Sequence, residues 1–385
     1  MQFEFATATR ILFGPGKVRE CIPLAETMGR RPLLVAAAGL AHVAALCRQL
    51  ETRGMPSVVF DVAGEPEIST VLEGVRIARR ERCDMVLGMG GGSTLDAGKA
   101  IAVMMTNDGD LLDYLEVIGH GRTLVTAPAP YIAVPTTSGT GTEVTRNAVL
   151  ASAEHGVKVS LRSPLMLPRA AVVDPDLTLS VPPEVTANTG LDALTQLIEP
   201  FVCTRANPMV DSLCREGIRR AAAALPRAFA DGNDSSAREE MSLASLFGGL
   251  ALANAGLGAV HGIAAPLGGL TRAPHGAICA RLLPLVMEAN IRALQARLSG
   301  SPALPRYEEV ARLLTGDSKA APIDAIRWAQ SACAALGVRP LSHYGLSAAE
   351  IPTIVAQSQK ASSMRANPIP LTDEELTEVL IRSLD

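Results

Sequence analysis

A chain of 385 residues is long enough for two domains. With 48% hydrophobic and 19% charged residues it can bury a large core, which excludes general disorder, and with only 3% aromatics that core must be aliphatic. A formal net charge of −4, a pI of about 5.9 and no long basic run exclude nucleic acid or an anionic membrane surface as the main partner.

The opening MQFEFATATRILFG lacks a basic stretch followed by an apolar one, so a cytoplasmic location is expected rather than secretion. No uninterrupted apolar run reaches membrane-spanning length. The seven cysteines are scattered and never fall in CxxC spacing, which reads as reduced, mostly buried thiols.

In chain order, RPLLVAAAGL reads as a buried strand entering a turn, AHVAALCRQLETRG as a helix ending at Gly54, and PSVVFDV as a strand. STVLEGVRIARRERC reads as an amphipathic helix, DMVLGMGGG as a strand entering a glycine turn, TLDAGKAIAVMMTN as a helix and YIAVPTT as a strand. Such alternation predicts a parallel sheet with helices on both faces. After about Asp174 the segments are helix-like, and prolines punctuate DPDLTLSVPP. The expected architecture is therefore an α/β N-terminal domain, residues 1–178, and an all-helical C-terminal domain, residues 179–385, with a site in the cleft between them. GDSKAAP and ASSMRANPIP read as surface loops.

Two turns follow apolar strands. GMGGGSTLDAGK, Gly88 to Lys99, puts glycines and Ser93 at a helix start. Backbone without side chains lets amides approach an anion, and the helix dipole adds to it, which suits a pyrophosphate. The spacing is neither GxGxxG nor a P-loop. VPTTSGTGTEVT, Val134 to Thr145, offers the hydroxyls of Thr136, Thr137, Ser138 and Thr140 to a ribose, a phosphate or a nicotinamide amide. Either turn alone is open to a purely structural reading; two in one sheet favour a nucleotide.

GLDALTQLIEP puts Asp192 and Gln196 four residues apart on one helix face. His261 and His275 lie 14 residues apart in apolar, glycine-rich stretches. With Asp192 they would make a 2-His-1-carboxylate set for a divalent cation. His42, His120, His155 and His343 read as surface residues.

At this point the chain resembles the iron-containing (group III) alcohol dehydrogenase family over nearly its whole length. FATATRILFGPG, GGGSTLDAGK, PTTSGTGTEVT, DPDLTLSVPPEVTANTGLDALT, the PHG at His275 and SSMRANPIPLTDEEL carry the resemblance. It implies a dehydroquinate synthase-like fold: a Rossmann-like dinucleotide-binding domain and a helical domain, with a divalent metal, iron, zinc or manganese. It also implies hydride transfer between NAD or NADP and a small alcohol or aldehyde, and a homodimer, with FEFATATRILFG as the segment expected to pair edge strands by analogy.

Residue by residue, the resemblance makes Asp192, His261 and His275 catalytic metal ligands and puts Gln196 where the family has another ligand histidine. A further family histidine, which relays a proton, falls on Ala265. Gly90, Gly91, Gly92, Ser93 and Asp96 match the pyrophosphate loop; Thr136, Thr137 and Thr140 match the nicotinamide and phosphate loop; Lys158 matches a lysine near the ribose. Ala37 stands where many NAD-dependent relatives carry an aspartate for the adenosine ribose, which points to use of both NAD and NADP. Glutamine is a harder, weaker ligand than imidazole. A metal-independent reductase of an activated carbonyl, like the maleylacetate reductases, is therefore the alternative reading. A nucleotide-binding protein without catalysis and a lyase such as dehydroquinate synthase are further ones.

Overall fold

The computed structural model describes residues 2–37, 39, 41–152 and 154–385. They divide into two compact units: Ala6–Thr137 with Gly141–Ser180, and Met1–Phe5, Ser138–Thr140 and Val181–Asp385.

The first unit is α/β. Its elements are β1 (Ile11–Phe13), α1 (Cys21–Met28), β2 (Pro32–Ala37), α2 (Ala41–Thr52), β3 (Val58–Val62), α3 (Ile68–Arg80), β4 (Met85–Gly90), α4 (Gly92–Thr106), α5 (Leu111–Tyr114), β5 (Tyr131–Pro135), β6 (Asn147–Ser152), β7 (Val157–Arg162) and β8 (Ala170–Val173). Six strands form one parallel sheet in the order β1-β8-β5-β4-β2-β3. Alternate residues of each strand feed opposite faces. Leu34, Ala36, Leu87 and Met89 pack with Ile22 and Leu24 of α1 and Leu46 and Leu50 of α2. Leu33, Val35 and Val86 pack with Val71 and Val75 of α3 and Ile101 of α4. Burial on both faces explains why the strands read as continuous apolar runs.

The chain leaves β2 for one neighbour, β3, and β4 for the other, β5. The carboxyl ends of β2 and β4 therefore flank the topological switch point, where open α/β sheets bind ligands. Ala37 ends β2, and Gly90 ends β4.

The β6–β7 hairpin, Asn147 to Arg162, is antiparallel and stands apart from the main sheet. Its burial alternates, as one solvated face requires. Buried Lys99 ties it to α4: the ammonium donates to the Thr142, Thr145 and Asn147 carbonyls and to the Thr145 hydroxyl, at 2.8–3.1 Å.

The second unit is helical: α6 (Pro183–Val202), α7 (Pro208–Ala230), α8 (Ser235–Asn254), α9 (Ala259–Leu270), α10 (His275–Arg297), α11 (Ala303–Thr315), α12 (Pro322–Ala335), α13 (Ile351–Ser358) and α14 (Asp373–Arg382). One aliphatic core joins them, with Leu194 and Leu197 of α6, Ile218 of α7, Ile263 of α9 and Ile278 of α10 at its centre. No single helix among the described residues is long and apolar enough to cross a membrane.

ASSMRANPIP is not a surface loop. Met364, Ala366, Asn367 and Ile369 are buried. Asn367 is a hub: its amide donates to Asn290 at 2.7 Å and to the Ile369 carbonyl at 2.7 Å, while its oxygen accepts the Ala259 N–H at 3.0 Å. A polar run can be buried when each of its groups finds such a partner.

Candidate functional site

Two groups of residues answer to the sequence motifs, one in each unit. In the α/β unit, α4 begins at Gly92 with Gly91 as its N-cap, and no side chain caps it. Its first N–H groups are thus left to a ligand or solvent. Gly91, Gly92 and Ser93 are partly exposed there, whereas Thr94 and the following turns are buried. A Cβ at Gly90 would come within 2.6 Å of the Thr94 side chain, so only glycine permits the strand-to-helix step. Thr136 lies alongside: its N–H donates to the Gly90 carbonyl at 2.9 Å. The side chain of Thr137 faces Gly91.

Asp96 and Lys158 are engaged within the unit. Asp96 accepts the Val149 N–H at 3.0 Å and stands 4.0 Å from the Lys99 ammonium. Burial raises its pKa to about 6, against the pull of Lys99 and the Val149 bond. Lys158 donates to Glu65 at 2.6 Å. Thr140 belongs to the Ser138–Thr140 segment of the helical unit, where the Ser138 and Ser242 hydroxyls are 3.0 Å apart and Gly139 lies against Thr189 of α6.

In the helical unit, α6 carries Asp192 and Gln196 one turn apart, both buried. His261 lies in the first turn of α9 and His275 is the first residue of α10. The Asp192 Oδ1 atom is 3.5 Å from His261 Nε2 and 3.9 Å from His275 Nε2. Gln196 Nε2 donates to Asp192 Oδ2 at 3.0 Å. A carboxylate only accepts, so the amide nitrogen must face it and Gln196 Oε1 points elsewhere.

Sequence reasoning missed two residues. Glu199, seven positions after Asp192, is buried on the same face of α6. One of its oxygens receives His261 Nδ1–H at 2.6 Å and the other the Val260 N–H at 2.7 Å. It thereby satisfies an orphan donor of α9 and holds the Nδ1 proton of His261, which turns Nε2 toward Asp192 and Cys279. Gly258 makes room, since a Cβ there would lie 2.9 Å from Glu199 Oε1. The second is Cys279, one turn after His275 on α10. Its Sγ is 3.6 Å from His275 Nε2 and 3.9 Å from His261 Nε2. The i,i+4 spacing that singled out Gln196 also reaches it.

Asp192, His261, His275 and Cys279 each bring one donor atom, all within 4.8 Å of one another. Burial works against an ionised Asp192, yet His275 and His261 outweigh it and hold its pKa below the usual value. Burial also opposes a charged His261, yet Cys279, Glu199 and Asp192 hold its pKa well above the usual value. Burial pushes the Cys279 thiol up to about 12, with His261 opposing. Asp192 Oδ1 and Gln196 Oε1 are two of six buried side-chain polar atoms among the described residues that find no hydrogen-bond partner. Buried polar groups are almost always satisfied. An orphaned Asp192 oxygen facing two imidazoles fits a site shaped for a cation.

Of the remaining histidines, His42, His120, His155 and His343 are all exposed. Ala265 is partly buried in α9 and offers no proton relay.

Comparison with known proteins bears on the fold and the family. The family model described as iron-containing alcohol dehydrogenase matches residues 8–175, and that for the C-terminal part of the Fe-containing alcohol dehydrogenase family matches residues 186–384. A 1,3-propanediol dehydrogenase of Citrobacter freundii is 34% identical over 98% of this chain and 97% of its own. The crystal structure of a 1,3-propanediol oxidoreductase superposes with a TM-score of 0.92 at 32% identity, covering 100% of both chains. A sulfoacetaldehyde reductase from Bifidobacterium kashiwanohense, in complex with NAD+, superposes with a TM-score of 0.87 at 29% identity, covering 100% of this chain and 99% of that one. With both halves of the sequence matched and a relative aligned end to end, the chain belongs to the iron-containing alcohol dehydrogenases, oxidoreductases that act on CH–OH groups.

Proposed function

We propose that the chain is a metal-dependent NAD(P) alcohol dehydrogenase or aldehyde reductase for a small primary alcohol or its aldehyde. The nicotinamide would exchange a hydride with substrate carbon, and a divalent cation would polarise the substrate oxygen. The observation that carries the reading is the Asp192 carboxylate oxygen, buried, without a hydrogen bond and turned toward two imidazoles. A carboxylate is costly to bury, and a cation between Asp192 Oδ1 and the two imidazoles would offset that cost.

In this reading Asp192, His261 and His275 hold the cation, with Gln196 beside them as an oxygen donor or as the brace of Asp192. Glu199 orients His261. Gly90, Gly91, Gly92 and Ser93 bind the pyrophosphate through the uncapped start of α4, and Thr136, Thr137 and Thr140 bind phosphate or nicotinamide. Asp96 and Lys158 act by holding the cofactor loops, since their charges are engaged by Val149, Lys99 and Glu65. Ala37, at the end of β2, leaves the adenosine ribose without an acidic partner, which supports use of both NAD and NADP. Residues 1–178 would carry the cofactor and 179–385 the cation. The names of the relatives, a propanediol dehydrogenase and a sulfoacetaldehyde reductase, support a short substrate with a terminal oxygen function. A homodimer belongs to the same reading; β1 is an edge strand of the sheet.

The test is chelation. Protein stripped of metal should lose NAD(P)H-dependent reduction of short aldehydes and regain it with zinc, iron or manganese. Activity that survives stripping would favour the metal-independent reductase instead.

A further inference from the structure

We propose that the Cys279 thiolate is the fourth ligand of this cation, standing in from α10 for the imidazole that Gln196 replaces on α6, and that the site therefore takes zinc. The inference rests on the reading of Asp192, His261 and His275 as a metal centre.

Four donor–donor distances carry it. Asp192 Oδ1 lies 3.5 and 3.9 Å from the two Nε2 atoms, and Cys279 Sγ lies 3.9 and 3.6 Å from the same two. A tetrahedral zinc with bonds of roughly 2.0–2.1 Å to nitrogen or oxygen and about 2.3 Å to sulfur separates its ligand atoms by about 3.3–3.6 Å. The four measured separations match that spacing or exceed it by up to about half an ångström, and all four atoms lie within 4.8 Å of one another, so a small inward movement would complete the set.

The chemistry of Gln196 points the same way. Its amide N–H₂ is committed to Asp192 Oδ2, which leaves Oδ1 turned to the imidazoles. Gln196 is then a positioning residue that holds the carboxylate, and its place in the ligand set falls vacant. The compensating donor lies one turn beyond His275, so that α10 supplies a His–Cys pair at i,i+4 where the family draws an Asp–His pair from α6. Cys279 shares the aliphatic core with Cys203, Cys214 and Cys333, but its Sγ also faces two imidazoles. A thiolate with two imidazoles and one carboxylate is a zinc set; hard cations such as magnesium and manganese prefer oxygen. On binding, the thiol gives up its proton to solvent and the sulfur lone pair forms the bond to zinc.

The experiment is X-ray absorption on the zinc-loaded wild-type protein, with the cobalt(II)-loaded form read by its near-ultraviolet absorption. The expected result is one sulfur scatterer at about 2.3 Å beside nitrogen and oxygen at about 2.0–2.2 Å. A sulfur-to-cobalt charge-transfer band should accompany it. Cys279→Ser should lose both signals and bind zinc at least about tenfold more weakly against a competing chelator dye. Gln196→Ala should keep the sulfur. Stoichiometric zinc with only nitrogen and oxygen neighbours overturns the proposal and leaves the metal-centre reading standing. A site that takes no metal from saturating zinc or cobalt overturns both. The wild-type spectra need no variant, so a misfolded Cys279→Ser protein would not blunt the test.

Discussion

Glu199 shows how much one side chain can settle. It joins the start of α9 to α6, and it turns His261 Nε2 toward Asp192 and Cys279. Glu199→Gln separates these tasks, because an amide still accepts the Val260 N–H while losing the charge behind the imidazole. Such outer partners of metal-bound histidines contribute about 10–100-fold to metal affinity. The expected outcome is zinc affinity lower by that range in calorimetric titration, with a thermal midpoint close to wild type. Equal affinity would mean that Glu199 serves only the helix. Residue type, spacing and the family resemblance singled out Asp192, His261 and His275 as candidates, since polar residues stand out in apolar helices. Glu199 and Cys279 were hidden because a glutamate and a lone cysteine on a helix have many ordinary uses. Only the meeting of α6, α9 and α10 gives them this one.

Among the elements, α4 carries the clearest electrostatic signature. Asp96 and Lys99 are buried on it, and buried Glu143 follows β5. Burial raises the carboxyls to about 6 and about 7, against the attraction of Lys99, and lowers Lys99 to about 8, against Asp96 and Glu143. A carboxyl whose folded pKa is raised binds its proton more tightly in the folded chain. For Asp96 the contribution is full below its unfolded value of about 3.8 and is lost as pH rises through about 6. Asp96→Asn removes that titration and keeps an acceptor for the Val149 N–H. Urea midpoints of wild type should therefore fall relative to the variant between about pH 4 and pH 6, then run parallel; a constant difference would mean that Asp96 does not titrate there. Elements on both sides of α4 differed in legibility. β2, β4 and β5 announced themselves as apolar runs ending in turns. The β6–β7 hairpin escaped because its half-exposed alternation, NAVLAS and VKVSLR, mixes polar residues into each strand.

At the scale of the molecule, the parallel sheet and the helical second unit were readable because long buried elements impose long apolar patterns. β1 and β8, of three and four residues, are too short for any pattern. Asp174 holds them in place: its carboxylate accepts the Gly16 and Val18 N–H groups at 3.0 and 2.9 Å, so a loop contact stands in for strand length. The strand order then does what no single motif could, bringing the ends of β2 and β4 to the switch point. On the proposed reading, cofactor choice follows from that topology. An acidic side chain at the end of β2 would bond a ribose 2′-hydroxyl and repel a 2′-phosphate, and Ala37 does neither. Ala37→Asp should shift the ratio of kcat/KM for NAD to that for NADP toward NAD by at least about tenfold, or about 1.4 kcal/mol. The gain should come mainly from a higher KM for NADP. An unchanged ratio would mean that the adenosine ribose lies elsewhere, and that Gly90 to Ser93 would have to anchor the cofactor without help from β2.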